Sequence, residues 1–379
     1  MRESISYTSA GESHGPAEVL TIRGLPAGFP LDIEALNRQL QRRQQGYGRG
    51  GRMRIEKDEV QILSGLRHGK SLASPLALLI WNLDHAQWQK EMDPLQGKVE
   101  SKIRVPRPGH ADHTGALKYG FDDIRNVLER ASARETSARI LAGAVCRQFL
   151  EALDIRLGSC VIRMGDVRCP DMQPDEELFR KADASDVRCP DPEAAEAMRK
   201  TIDAVREAGD SIGGIFRVAV LRLPRGLGSY VHWDDKLTSR IAAEIMGIQA
   251  IRGIAFGAGF AGAALRGSAY HDAFLVSGAE VKRTSNNAGG LEGGMTNGEI
   301  LQFDAVMKPI PTLTRSLDSF HMDTLEKVGA HKERSDVCAL PAAAVVAENM
   351  TAVPLLNALL ARYGADRWDS IVRRIRENV

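Results

Sequence analysis

Apolar and polar positions change their period several times along the chain, and those changes divide it into pieces. Residues 4–19 alternate as a strand, a glycine-bounded turn at 11–15, and a second strand. Residues 31–45 place Leu31, Ile33, Leu36 and Leu40 at near-helical spacing, which predicts a helix running into the glycine-rich stretch 46–51. The longest helical pattern covers 117–149, around Ile140, Leu141, Val145 and Phe149. Residues 160–191 are polar and repeat DVRCPD at 166–171 and 186–191, which predicts a surface excursion. Two six-residue copies do not make a repeat architecture. A helix over 192–208 comes next, with Asp191 as N-cap and Pro192 at its first position. After Gly213 the runs 215–223, 254–256 and 273–276 read as strands between glycine turns, and 342–363 is Ala/Leu-rich and helical.

Strands and helices mix without regular βα alternation, which predicts an α+β fold or an antiparallel layered one. No Pro/Ser-rich linker divides the 379 residues, so the expectation is one domain, 1–379. No apolar run approaches the roughly 18 residues of a membrane span. The N-terminus lacks the apolar region of a secretory signal. Five cysteines without a CxxC pair argue against a disulfide framework or a structural zinc site. The expectation is a cytoplasmic protein with reduced thiols and no membrane partner.

A net charge of +1 argues against a generally basic nucleic-acid binder. The cations are unevenly chosen, however, with 37 Arg against 13 Lys. Arginine presents a planar fork that pairs bidentately with carboxylate and phosphate, and its placement carries the chemistry. Residues 38–54 hold six arginines among glycines and one aromatic, Tyr47. Such a tract suits either RNA or an anion clamp of backbone N–H groups and Arg forks. Residues 104–114, RVPRPGHADHT, stiffen the chain around Arg107 and His110 with Pro106 and Pro108. His110, Asp112 and His113 are too unspecific in spacing for a metal site, and none is expected. A general acid on a rigid loop fits better. Arg130 and Arg134 share a helix face, a repulsive arrangement unless an anion or Glu135 lies between them.

Gly11-Glu-Ser-His-Gly15 fits G-x-S-x-G, the nucleophile elbow of α/β-hydrolases. That motif needs a following helix, whereas here Pro16 leads into the strand-like 19–22. A hydrolase centred on Ser13 is therefore the weaker reading, and a turn exposing His14 to protonate a leaving phosphate is the stronger. The G-x-G-x-x-G at 257–262 lacks the long helix and placed acid of a dinucleotide site and reads as accidental. The loops 285–294, 308–312 and 333–336 add glycines for close approach of a flat ligand, a lysine in a proline-stiffened turn, and an aspartate after Arg-Ser. So many anion-facing loops suit a pocket for phosphorylated ligands.

Seven of these segments also stand in a familiar order: GESHG, RRQQGYGRGGRM, RPGHAD, RASARET, NNAGGLEGG, MKPIPT and ERSD. Over residues 6–345 the chain resembles the chorismate synthases. The resemblance implies helices packed between antiparallel sheets and a homotetramer. It implies a lyase of the shikimate pathway, converting 5-enolpyruvylshikimate 3-phosphate to chorismate by 1,4-anti elimination, with reduced FMN required. His14 would then assist the departing phosphate, and His110 would keep the reduced flavin correctly protonated. Asp336 would act near flavin N5, with Ser13 and Ser132 in support. FMN contacts would fall on Arg130, Ala131, Ser132, Gln249, Ala250, Gly293, Lys308, Pro309, Ile310, Pro311, Thr312 and Arg334. Arg43 and Arg49 match positions linked with NADP in the family, with substrate anions as the alternative for both. Arg107 and Arg134 would hold substrate. The chain departs from the family pattern at Ala131, Ile310 and Pro311, where many members carry hydroxyls, so contacts there would rest on backbone.

Overall fold

The computed structural model describes residues 5–50, 56–97, 102–278, 280–333 and 335–377. Its first sheet has four strands, β1 (Ser6–Ala10), β2 (Ala17–Arg23), β3 (Gln61–Ser64) and β4 (Leu76–Trp81), in the antiparallel order β1-β2-β4-β3. A second, five-stranded sheet contains β5 (Arg156–Met164), β6 (Val167–Arg168), β7 (Gly214–Leu221), β8 (Ile251–Phe256) and β9 (Leu301–Met307). Its order is β8-β9-β7-β5-β6, again antiparallel throughout.

The helices are α1 (Ile33–Gln44), α2 (Asp112–Tyr119), α3 (Arg125–Ala131), α4 (Thr136–Glu151), α5 (Glu176–Ala184), α6 (Pro192–Glu207), α7 (Leu237–Met246), α8 (Leu340–Tyr363) and α9 (Trp368–Glu377). α4 packs on β1, β2 and β4, while α8 packs on β5 and β7. The two helices also pack on each other, so the layering is sheet, helices, sheet. Gly143 of α4 sits at their closest approach, where an added Cβ would lie 2.3 Å from the Asn349 carbonyl oxygen. The alternating apolar positions explain the first sheet, since Leu20 and Ile22 on β2 and Leu76, Leu78 and Ile80 on β4 are buried toward the helices.

α8 is long and apolar enough to cross a membrane by length and composition, but every residue of its most apolar window is buried inside the protein. Its buried polar groups are matched among the described residues, apart from Asn349 Oδ1. Glu348 is fully buried and receives hydrogen bonds from Arg42 (2.8 and 3.1 Å), Arg188 (3.4 Å) and Ser159 (2.7 Å), and another from Arg147. Burial alone would raise its pKa, but Arg42, Arg147 and Arg188 hold the carboxyl far below its ordinary range. Farther along, Asn357 accepts from the Ile5 N–H at 2.8 Å and donates to the Ile5 carbonyl at 3.0 Å.

Most predicted elements stand close to their expected bounds. α1 starts after Asp32, whose carboxylate accepts from the Ala35 N–H, and α6 starts after Asp191 in the same way. The 117–149 pattern is not one helix: Gly120 closes α2 in the left-handed region at φ 70°, and Ser132 is extended between α3 and α4. The polar excursion is also shorter than 160–191, because Cys160 lies inside β5 and Val187 and Cys189 are buried.

Candidate active site

The loops between these elements converge on a cavity of about 470 Å³. It is lined by Ser13, His14, Arg43, Arg49, Arg107, His110, Ala131, Ser132, Arg134, Gln249, Ala250, Lys308, Ile310, Pro311, Thr312 and Asp336 among others. Sixteen positions singled out from the sequence, drawn from seven separate stretches of the chain, thus meet around one space.

Ser13 and His14 sit in the turn joining β1 to β2, and both are buried. The turn is tied to α3: the Ser13 N–H donates to the Glu129 carbonyl at 3.1 Å and the His14 N–H to Glu129 Oε2 at 2.8 Å. Glu129 also takes the His14 ring, with Oε1 2.9 Å from Nδ1. A carboxylate accepts only, so the proton of the neutral ring sits on Nδ1, leaving Nε2 as the working nitrogen. Trp88 stacks at 4.3 Å on the His14 ring, and Arg125 bonds Glu129 at 3.0 Å while lying over Trp88. Burial by itself would raise the Glu129 carboxyl, but its bonds from His14 and Arg125 hold it below its ordinary pKa. The turn leads into β2 rather than a helix, so the hydrolase elbow is absent.

The arginines form the floor. Arg134 donates to Asn82 Oδ1 at 2.8 Å and to both oxygens of Asp58 at 2.7 and 2.9 Å. Arg43 bonds Thr136 (2.9 Å), the Ala133 carbonyl (3.1 Å) and Asp58 (3.4 Å). Burial pulls the Arg43 pKa down to about 10, against the attraction of Asp58. Asp58 thus lies between Arg43 and Arg134 and offsets their like charge. Of the glycine-arginine tract, Arg42, Arg43 and Arg49 all turn inward onto Glu348, Asp58 and Asp336. Its last residues, 51–54, lie outside the described ones.

Opposite this floor stands the proline-stiffened loop. Asp112, at the start of α2, takes Arg107 through Nε (2.8 Å) and a terminal nitrogen (3.1 Å) and lies 2.5 Å from His110 Nδ1. Burial would raise its pKa, yet His110 and Arg107 hold it well below the carboxylate range. With Nδ1 turned to Asp112, His110 Nε2 is left for the cavity. Arg107 also donates to Thr312 at 3.0 Å. His113 turns instead to Phe320, edge to face at 5.2 Å. Among the described residues no group of three or more His, Cys, Asp or Glu side chains forms a metal cluster. Asp336 accepts from the Gly50 N–H at 2.6 Å and lies 3.3 Å from Arg49 Nε.

Beneath the turn, Glu18 takes the first core-facing position of β2, ahead of Leu20 and Ile22. Both its oxygens are buried without a hydrogen-bond partner among the described residues. Burial pushes its pKa up to about 7, against the pull of Arg134, Arg130 and Arg43. A Cβ at Gly11 would lie 2.7 Å from its Oε2, which explains a glycine there in addition to its φ of +128°.

Three of the expected contacts that are described are not gathered into the cavity wall. Arg130 folds back onto the Ser9 carbonyl (3.0 Å) and Gly11 carbonyl (3.2 Å), beside an adjoining open groove with Tyr7, Glu135 and Glu244. Gly293 lies in the turn of the Leu291–Glu292 and Met295–Thr296 hairpin, next to Tyr230. Pro309 is absent from the wall, although Lys308 and Ile310 on either side are in it. Arg334 lies outside the described residues. Conversely, sequence reading missed Asp58, Asn82, Glu129 and Arg252. Glu129 stands directly before RASARET and could have been found there; Asp58 and Asn82 carry no local motif.

The wall also suits a flavin. Gln249 Oε1 is a buried acceptor without a partner among the described residues, at the cavity's edge. Met246, Ile248, Ile251, Met307, Ile310 and Pro311 offer apolar surface to a flat ring, and Lys308 and the arginines offer charge to a phosphate.

A family model described as chorismate synthase matches residues 5–360. The chain is 50% identical over 384 residues to a chorismate synthase of Trichlorobacter lovleyi, covering 98% of this chain and 97% of that protein. It is 50% identical over 376 residues to the one of Geobacillus thermodenitrificans, covering 97% of each. A crystal structure of chorismate synthase superposes with a TM-score of 0.79 at 38% identity, covering 99% of this chain and 97% of that one.

Proposed function

The chain belongs to the chorismate synthase family, and from that premise we propose how its cavity performs the family's reaction. The enzyme is a lyase of aromatic amino-acid biosynthesis, eliminating phosphate and a ring proton from 5-enolpyruvylshikimate 3-phosphate in 1,4-anti fashion to give chorismate. The observation that carries the division of labour is that His14, His110 and Asp336 open onto one cavity among five arginines.

The family requires reduced FMN, which supplies electron density as the C–O bond breaks and recovers it afterwards. Gln249, Ala250, Ala131, Ser132 and the stretch Lys308 to Thr312 would hold it, with Arg130, Gly293 and Arg334 completing the set expected by resemblance. Arg49, Arg107 and Arg134 bind the substrate's two carboxylates and phosphate. Arg43, committed to Asp58 and Thr136, keeps that floor in place. His14 donates a proton from Nε2 to the departing phosphate, and Glu129 steadies the imidazolium formed before the transfer. His110 holds a proton at Nε2 on the opposite wall, oriented through Asp112. Asp336, fixed by Gly50 and Arg49, accepts the proton that leaves the ring. Ser13 and Ser132 supply hydrogen bonds at the edges.

Under anaerobic conditions phosphate release from the enolpyruvyl substrate requires reduced FMN, and equal activity without flavin would overturn the reading. NADPH serves as reductant at the Arg43 and Arg49 side if NADPH alone, without an added reductase, sustains turnover with oxidised FMN. The chain works as one unit and as a homotetramer. Supporting the latter, Phe274, Leu275 and Val276 and the neighbouring Tyr230, Val231 and Trp233 are exposed apolar surface that other copies would cover. Light scattering on the purified protein tests that mass. All five cysteines are free thiols, which supports a reducing compartment such as the cytoplasm.

A further inference from the structure

The duplicated DVRCPD hexapeptide is the sequence motif that the cavity leaves unused. Its two copies clasp one stretch of β5. The Cys169 N–H donates to the Ile162 carbonyl at 2.9 Å, and the Arg188 carbonyl accepts from the Val161 N–H at 2.8 Å. These are consecutive residues, at the point where the pairing of β5 with β7 slips between Val161 and Arg163. Because each copy docks at the same irregularity, on the consecutive residues Val161 and Ile162, the equivalent cysteines Cys169 and Cys189 are brought within interaction range of each other.

Their surroundings differ. Cys169 is only half-buried, whereas Cys189 is 2% exposed and directs Sγ toward the Asp191 carbonyl at 3.6 Å. The proximity of the two thiols lowers the pKa of Cys169 and raises that of Cys189. The accessible sulfur is therefore the better thiolate and the buried one keeps its proton, the asymmetry of an attacking and a resolving thiol. Cys160 lies close by on β5 but is buried, and burial pushes its pKa up to about 12. The space beside these sulfurs, walled by Pro170, Met172 and Phe179, holds about 10 Å³, room for no more than a water.

We propose that Cys169 and Cys189 form a reversible dithiol–disulfide site, oxidised by low-molecular-weight disulfides that reach Cys169. The Cys169 thiolate attacks one sulfur of the small disulfide and expels the other as a thiolate, which takes up a proton. Cys189 then gives up its proton and attacks Cys169 Sγ, expelling the second small thiol. Two protein thiols lose two electrons and two protons in total, and one small disulfide becomes two thiols. The bond closes the segment from 169 to 189 around α5 and ties the two hexapeptide copies together.

The test treats the intact folded protein with glutathione disulfide, blocks free thiols, and maps peptides by mass. The expected result is loss of two of the five free thiols and one peptide pair joining Cys169 to Cys189, reversed by dithiothreitol. In Cys189→Ser the reaction stops at a single glutathione adduct on Cys169, and in Cys169→Ser neither adduct nor bridge forms. Free Cys169 and Cys189 in the treated wild-type protein, or a bridge that runs to Cys160 instead, would overturn the proposal, and neither result depends on a variant folding.

Discussion

Glu129 holds His14 twice, by its backbone N–H at 2.8 Å and by Nδ1 at 2.9 Å. One carboxylate therefore sets both the turn that carries the imidazole and the tautomer that leaves Nε2 without the proton, 3.9 Å from Asp84 Oδ2. His14→Ala should lower kcat about 10²- to 10⁴-fold, the range for a lost general acid. Glu129→Gln should retain only part of that activity, because the ring loses the carboxylate that fixes its orientation and tautomer. Steady-state phosphate release across pH checks both.

His110 and Asp336 stand on other parts of the same wall. His110→Ala and Asp336→Ala should each cut turnover at saturating substrate and flavin by about 10²-fold or more. Near-normal kcat with only a raised KM would assign these groups to binding.

Asp58 lies between two buried arginines, with Arg134 at 2.7 Å and Arg43 at 3.4 Å. Asp58→Ala leaves both guanidinium groups unmatched in a desolvated floor, and about 3–5 kcal/mol of stability should be lost. Urea unfolding at neutral pH measures it, and Asp58→Asn should recover a fraction through hydrogen bonding alone.

Glu18 gives a pH dependence of definite sign. Its folded pKa is about 7 against an ordinary 4.5, so the folded protein holds this proton more tightly than the unfolded chain. Its contribution is fully present below pH about 4.5 and is lost as pH rises through about 7. Glu18→Gln should therefore raise the melting temperature more at pH 8 than at pH 5, and an equal shift at both would exclude the burial of an ionising group there.

Gly143 should tolerate no side chain. The carbonyl of Asn349 lies 2.3 Å from where its Cβ would be, so Gly143→Ala must push α4 and α8 apart. A loss of about 1–3 kcal/mol is expected, as for other overpacked cores, and thermal unfolding reads it.

The parts legible in the sequence are those written locally. Capping aspartates, alternating strands and the loop motifs foretold α1, α6, the strands β1, β2, β7 and β8 and most of the cavity wall, but not β3, β4, β5, β6 or β9. The parts that stayed hidden depend on distance or on a single backbone angle. Asp58 has no signature because its meaning comes from Arg43 and Arg134, the latter 76 positions away. Helical periodicity runs through 117–149, yet Gly120 in the left-handed region and the extended Ser132 each break it. Arg42, Arg147 and Arg188 converge on Glu348 from three separate segments, a clustering that no window of sequence could display. The likeness of the two DVRCPD copies was visible; that they bring two sulfurs together was not.

The stitch between Ile5 and Asn357 spans 352 positions, and α8 supplies the layer against which β5 and β7 pack. During synthesis, then, those strands must wait with apolar faces uncovered until residue 357 has left the ribosome. A nascent chain halted before Leu340 lacks its central beam altogether. Premature stop codons before position 357 should accordingly yield fragments that are cleared by proteases or aggregate, rather than shortened enzymes with partial turnover.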